Sequence, residues 1–219
     1  MTPTQADSPV LDAGSFAQWL EAMRGVLRGE RDAQVPCGEC VGCCVSFYPI
    51  PLRPADSVAL AHVPAAYLHL PTSQGGLAWM GYRPDGTCPM LDCGGCTIYV
   101  NRPRTCRDYD CRIYAAAGLL PDGDRPIIRQ RVQQWRFGFD SPADRLAADA
   151  VERAAWFIRH RALDFPPSMR AGSATAAAVL ALKCHEIFVE NSLPESDEAA
   201  LALVGRVIDA VREFDAGMP

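Results

Sequence analysis

The sequence predicts a mainly α fold with a small irregular β hairpin or sheet, its helices wrapped around a cysteine-rich module. Three observations lead there. Apolar residues recur at three- and four-residue spacing near both ends of the chain. Short β-type runs flank a Pro-Asp-Gly turn in the middle. Nine of the ten cysteines fall between Cys37 and Cys111, which leaves one for the rest of the 219 residues.

Residues 1–14 read as a polar tail. A helix is expected from Ser15, since Phe16, Trp19, Leu20, Met23 and Leu27 share a face; Ser15 with Gln18 resembles a capping box and Gly29 offers a stop. The run Cys37-Gly-Glu-Cys40-Val-Gly-Cys43-Cys44 follows, its glycines permitting tight turns. Val45 to Ile50 reads as a strand, and Pro54 opens a brief helix to about His62. Leu77 to Arg83 reads as a strand, Pro84-Asp85-Gly86 as a hairpin turn, and the return passes Cys88 to reach Thr97–Val100.

Arg102 to Gly118 reads as short helix and loop, while Ile127 to Phe139 suits either strand or helix. Ser141-Pro142-Ala143-Asp144 starts a helix to about Leu163. A second spans about Ser173–Val189 and a third about Glu195–Phe214, with Leu201, Val204, Val207, Ile208 and Val211 as its apolar stripe. Residues 15–219 are expected to form one integrated domain, with the cysteine module at 37–111 and a helical part at 141–215.

Composition narrows the function classes. At 49% hydrophobic the chain buries a core, which excludes wholesale disorder. No apolar run reaches the roughly 18 residues that cross a bilayer, and Met1 to Ser15 lacks a secretory pattern. A cytoplasmic protein with no membrane role is expected. The net charge of −5 argues against a nucleic-acid-coating surface, so a protein partner or substrate is the class left open.

The cysteines point to metal rather than disulfides. Disulfides need an oxidising compartment, and small disulfide domains spread their cysteines to replace a missing core. Here they bunch beside an ample core. Thiolates bind zinc and iron at about 2.3 Å, and a C-x2-C step brings two sulfurs from one turn. Cys37, Cys40, Cys43, Cys44, Cys88, Cys93, Cys96, Cys106 and Cys111 are the candidate ligands of a metal-binding module. Adjacent Cys43 and Cys44 point about 100° apart if helical and to opposite faces if extended, so they serve two centres or only one of them ligates. His62 and His69 lie between the two halves without ligand spacing. Cys184 shares a helical face with Leu180, Ile187 and Phe188 and reads as a buried thiol.

The stretch Cys37-x2-Cys40-x2-Cys43-Cys44, with Cys88-Pro-Met-Leu91, Cys96-Thr-Ile-Tyr99 and Arg102-Pro-Arg-Thr-Cys106-Arg107, resembles the YkgJ-type CxxCxxCC family of zinc- or iron-chelating cysteine-cluster proteins. The resemblance covers about 75 residues. It implies metal binding in an intracellular bacterial protein, with Cys37, Cys40, Cys43, Cys44, Cys88, Cys96 and Cys106 at the family's cysteine positions. Cys111 occurs in part of the family and Cys93 is additional.

One or two centres of zinc or iron are therefore expected. Three sulfurs from one C-x2-C-x2-C run resemble a bacterial ferredoxin loop, which tips the choice towards an iron–sulfur cluster, although the fourth ferredoxin cysteine is missing. Cys88-x4-Cys93-x2-Cys96 has plant-type ferredoxin spacing, but Cys106 follows too soon for that fold.

Residues 102–136 hold eight Arg and four Asp. Solvated surface, compensation of thiolate charge, and an anion or RNA site with Trp135, Phe137 and Phe139 as stacking groups compete for them. Arg102 and Arg107, which flank Cys106, suit compensation as second-shell groups. Tyr48, Tyr99 and Tyr109 read as hydrogen-bonded packing. Three functions are carried forward. The first is a chelating cysteine-cluster protein. The second is an iron–sulfur-dependent protein-modifying or redox enzyme, distantly similar to flagellin lysine N-methylase. The third is a metal-scaffolded adaptor. No recognisable radical S-adenosylmethionine, P-loop or dinucleotide motif singles out the enzyme.

Overall fold

A computed structural model describes residues 9–217 except 49, 71–76, 124 and 190–192. The chain divides into two compact units, one of residues 1–31 with 111–219 and one of residues 32–110. The first eight residues of the expected tail lie outside the described residues, and its end is not tail. Leu11–Ser15 form strand β1, which pairs in parallel with Trp135–Gly138 further on. Helix α1 spans Phe16–Arg28 and buries the predicted Phe16, Trp19, Leu20 and Met23, together with Val26. Gly29 ends it in the left-handed conformation, its N–H returning to the last turn. The expected capping box is absent, because the Ser15 hydroxyl donates to Asp140 at 2.6 Å instead.

The second unit is mostly short elements. The expected strand at Val45–Ile50 begins only at Ile50, since Gly42–Val45 wind into a 3-10 turn. Strand β2 (Ile50–Leu52), helix α2 (Ser57–His62), strand β3 (Leu68–His69) and strand β4 (Ala78–Met80) follow. The sheet order is β2-β4-β3, antiparallel throughout, with Ile50 and Leu68 both opposite Met80. Pro51 sits on an edge strand, where its missing N–H is tolerated.

The hairpin expected around Pro84–Gly86 is therefore corrected. The turn exists, with Arg83 N–H donating to Thr87 at 2.8 Å, but its return does not pair with β4. It forms a separate hairpin instead, strand β5 (Leu91–Asp92) against strand β6 (Gly95–Cys96). Helix α3 (Arg104–Asp108) closes the unit. Its core is Ile50, Leu52, Ala59, Val63, Met80, Cys88, Met90 and Ile98.

Helix α4 (Arg112–Ala116) returns the chain to the first unit. The ambiguous segment resolves into both alternatives: helix α5 (Pro126–Gln134), then strand β7 (Trp135–Gly138) against β1. Helix α6 (Pro142–His160), capped by Ser141, packs on helix α7 (Ala174–Cys184). Alanines at 150, 154 and 155 of α6 and 174, 177, 178 and 181 of α7 are fully buried, so small side chains let the helices approach closely. Helix α8 (Asp197–Ala216) packs on α7 through Ala200, Leu203, Val204, Val207 and Val211. Leu201 leaves the predicted stripe and is exposed, one residue off the buried face. The chain is mainly α with small sheets, as the sequence predicts. Among the described residues no helix is long and apolar enough to cross a membrane.

Candidate metal centre

The second unit holds eight of the ten cysteines, and four of them meet at its core. Cys88 belongs to that core, and Cys44, Cys96 and Cys106 pack against it. Local backbone explains each placement. Cys37-Gly-Glu-Cys40 is a turn, with the Cys40 N–H donating to the Cys37 carbonyl at 3.0 Å and Gly38 in the left-handed region. The 3-10 turn then brings Cys43 and Cys44 round, and the Cys44 carbonyl accepts the Cys88 N–H at 2.7 Å. This bond joins the two halves of the cysteine pattern.

Helix α3, which carries Cys106, is tied down twice. The buried Asp56 carboxylate accepts the Arg104 N–H at 2.7 Å, and the Thr105 hydroxyl donates to the Pro51 carbonyl at 2.9 Å. Gly86, with φ 84°, lies under the Phe47 ring, and a Cβ there would come within 2.3 Å of that ring. Glycine is required at this position on both counts.

Backbone amides aim at the sulfurs. Gly42 N–H donates to Cys40 Sγ at 3.4 Å. The neighbouring backbone amides of Met90 and Leu91 lower Cys88, that of Ile98 lowers Cys96, and those of Cys43 and Cys44 lower Cys43. Such donors favour the thiolate form. The Cys44 thiol is hydrogen-bonded to both Cys43 and Cys88. That contact pulls Cys43 and Cys88 each down to about 7, while Cys44 between them is pushed up and holds the proton. Burial lifts Cys106 to about 12, with the nearby Cys43 and Cys88 adding to the shift, and burial also raises Cys96. Tyr82 is raised as well, chiefly by burial, and its hydroxyl donates to the Tyr48 carbonyl at 2.8 Å.

Cations offset part of this charge. Arg102 lies over the Tyr99 ring at 4.1 Å, and its charge lowers Cys96 and Cys106. Arg107 faces Asp32 at 3.8 Å. The sequence reading missed Arg83. Its guanidinium donates to the carbonyls of Pro89 and Leu91, each at 2.9 Å, and its charge lowers Cys88. No spacing signal marks it, because the contact depends on how the Cys88 loop folds back.

Other candidates stand elsewhere. Cys93 is exposed at the β5–β6 turn with φ 44°, and its thiol faces the neighbouring Asp92 carboxylate at 3.6 Å. Cys111 belongs to the first unit, where its sulfur accepts the Trp135 indole N–H at 3.3 Å. Trp135 is buried, and Phe137 packs on Phe16 and Trp19, so these aromatics are core rather than a stacking platform. His69 packs at a tilt against Trp79, with ring centroids 4.8 Å apart. Cys184 is buried, as expected, and burial raises it to about 12.

The ten cysteines are thiols, with no disulfide among them. Their chemistry suits a thiophilic cation, since sulfurs converge from both halves of the pattern onto amide donors. Among the described residues, however, no group of three or more His, Cys, Asp or Glu side chains is arranged to hold a metal ion.

No curated protein and no solved structure matches the chain. Residues 36–124, which run from the first cysteine turn past Cys111, match the CxxCxxCC family model, described as "Putative zinc- or iron-chelating domain".

Proposed function

We propose that the chain chelates zinc or iron through thiolates of the second unit, with Cys43, Cys44, Cys88, Cys96 and Cys106 as the central donors and Cys37 and Cys40 completing the set. The observation that carries this reading is the meeting of Cys44, Cys88, Cys96 and Cys106 at the core of the second unit, with an amide donated to Cys40 and backbone amides favouring the thiolate at Cys43, Cys88 and Cys96. A protein that merely stored these thiols in its core gains little from such donors, whereas metal-bound thiolates need them. The shared proton on Cys44 supports the same reading. Cys43 and Cys88, both lowered by their contact with Cys44, are the thiols that would give up protons most readily to a bound cation.

Cys93 and Cys111 stand outside this donor set, on the partners they already have. Arg83 and Arg102 balance the residual negative charge. Between the two metals we favour iron as an iron–sulfur cluster, because three cysteines follow one another at two-residue intervals from Cys37. Anaerobic purification with elemental analysis and an absorption spectrum tests both levels. Iron with acid-labile sulfide and brown absorbance near ~400 nm, the expected colour of thiolate-ligated clusters, supports the cluster. Stoichiometric colourless zinc keeps the chelating role and removes the cluster. A chain that retains neither metal after expression with both supplied overturns the proposal.

A further inference from the structure

We propose that Cys44 and Cys88 are a modification site for hydroperoxides, closing to a disulfide in the metal-free chain and reopening with thiol reductant. The backbone places them for it. The Cys88 N–H donates to the Cys44 carbonyl at 2.7 Å, and the two thiols are themselves hydrogen-bonded. That backbone bond holds the two segments side by side and the two sulfurs already touch, the contact a disulfide closes. The vicinal alternative, Cys43 with Cys44, is disfavoured by the strain of an eight-membered ring. Consecutive Cα atoms stand about 3.8 Å apart, short of the roughly 4.4–6.8 Å that a disulfide usually spans. Cys93 faces Asp92 at the tip of its own hairpin, which leaves it without a thiol neighbour among the contacts described.

Exposure divides the roles. Cys88 is only 4% exposed within the apolar core, whereas Cys44 is half-buried beside the exposed Cys43. Cys44 therefore meets the oxidant and Cys88 resolves it. Cys44 passes its proton to the hydrogen-bonded Cys88 sulfur and attacks the terminal peroxide oxygen as a thiolate. The O–O bond breaks, the departing alkoxide takes a proton from solvent, and Cys44 becomes a sulfenic acid with release of an alcohol, or of water from hydrogen peroxide. The Cys88 sulfur then attacks the sulfenic sulfur. The S–S bond forms, the S–O bond breaks, and the hydroxyl leaves as water with the Cys88 proton. Two thiols are oxidised and one peroxide is reduced. The disulfide withdraws two donors from the chelating set, so oxidation and metal binding exclude one another. That consequence rests on the function proposed above, while the disulfide itself does not.

The test treats reduced, metal-free full-length protein with hydrogen peroxide and maps chymotryptic peptides without reduction. The expected result is a Cys44–Cys88 cross-link as the main product, lost on adding dithiothreitol and suppressed by zinc bound beforehand. Cys88→Ser is expected to leave Cys44 as a sulfenic acid that dimedone traps. A main cross-link elsewhere, or sulfinic acid without cross-link, overturns the pair. A cross-link that forms undiminished in zinc-loaded protein overturns mutual exclusion. A chain that cross-links at Cys44–Cys88 yet binds no zinc or iron upholds the pair and removes the chelating function.

Discussion

Asp56 accepts the backbone N–H of Arg104 at 2.7 Å across 48 residues of chain, and accepts that of Arg53 at 2.8 Å with its other oxygen. Only 4% of Asp56 is exposed. This one carboxylate orders the loop before α2 and starts the helix that carries Cys106. Asp56→Ala leaves two amides without their acceptor, and each such loss costs about 1–3 kcal/mol. Chemical denaturation of the second unit is expected to shift accordingly. Asp56→Asn, which keeps one acceptor oxygen, is expected to lose roughly half as much. Equal stability of all three proteins would show that Asp56 does not hold α3.

Arg83 acts on the Cys88 loop in the same indirect way. Its guanidinium grips the Pro89 and Leu91 carbonyls, and the amide of Leu91 in turn points at Cys88. Arg83→Met keeps the apolar stem and loses the fork. Outer partners of metal ligands commonly contribute ~10–100-fold in affinity, so a loss of about tenfold is expected in competition with a chromophoric chelator. Arg83→Lys restores charge without the fork and is expected to recover only part. An unchanged affinity in Arg83→Met would remove Arg83 from the site.

The contrast between Arg83 and the cysteines shows where the sequence was informative. Cysteine pattern, helix periodicity and capping residues are local, and the helices at 16–28, 142–160, 174–184 and 197–216 follow them closely. Leu11–Ser15 and Trp135–Gly138 pair across more than a hundred residues, and neither strand alone carries enough alternation to announce the other. The same limit hid the β2-β4-β3 order. It also hid Arg83, and it made Cys93 look equivalent to its neighbours. Spacing alone could not show that Cys93 occupies a left-handed turn position facing its own Asp92.

Metal removal separates the two units experimentally. The second unit is built of two- and three-residue strands and helices of one or two turns, which hold little structure unaided. Hydrogen exchange is expected to accelerate throughout residues 32–110 after chelation, while α6, α7 and α8 keep their protection. Unchanged exchange in verified apo-protein would show that the metal contributes nothing to folding.

His185 gives the first unit a pH dependence. Burial is the main cause that lowers its imidazole below the ordinary value, and Arg24, whose Nη1 lies 3.2 Å from Nδ1, adds to it while Glu186 opposes. An unfolded histidine titrates near ~6.5, so below that pH the unfolded chain binds the extra proton first. The stability contribution is complete above ~6.5 and is lost as pH falls through the folded value. His185→Gln is expected to flatten the dependence of unfolding free energy between about pH 7 and pH 5. An unaltered slope would assign the dependence to other groups.

Cys111 and Cys44 make a matched pair of substitutions. The Cys111 sulfur is an acceptor for the buried Trp135 indole N–H at 3.3 Å, a contact wholly inside the first unit. Serine there keeps an acceptor oxygen on a shorter bond, so Cys111→Ser is expected to cost less than about 1 kcal/mol and to leave metal content per chain unchanged. Cys44 is hydrogen-bonded to Cys43 and Cys88 at once, so Cys44→Ser removes the sulfur those two share. Metal content is expected to fall severalfold while the helices of the first unit keep their melting transition. Metal retained in Cys44→Ser, or lost in Cys111→Ser, would reverse the assignment of donors.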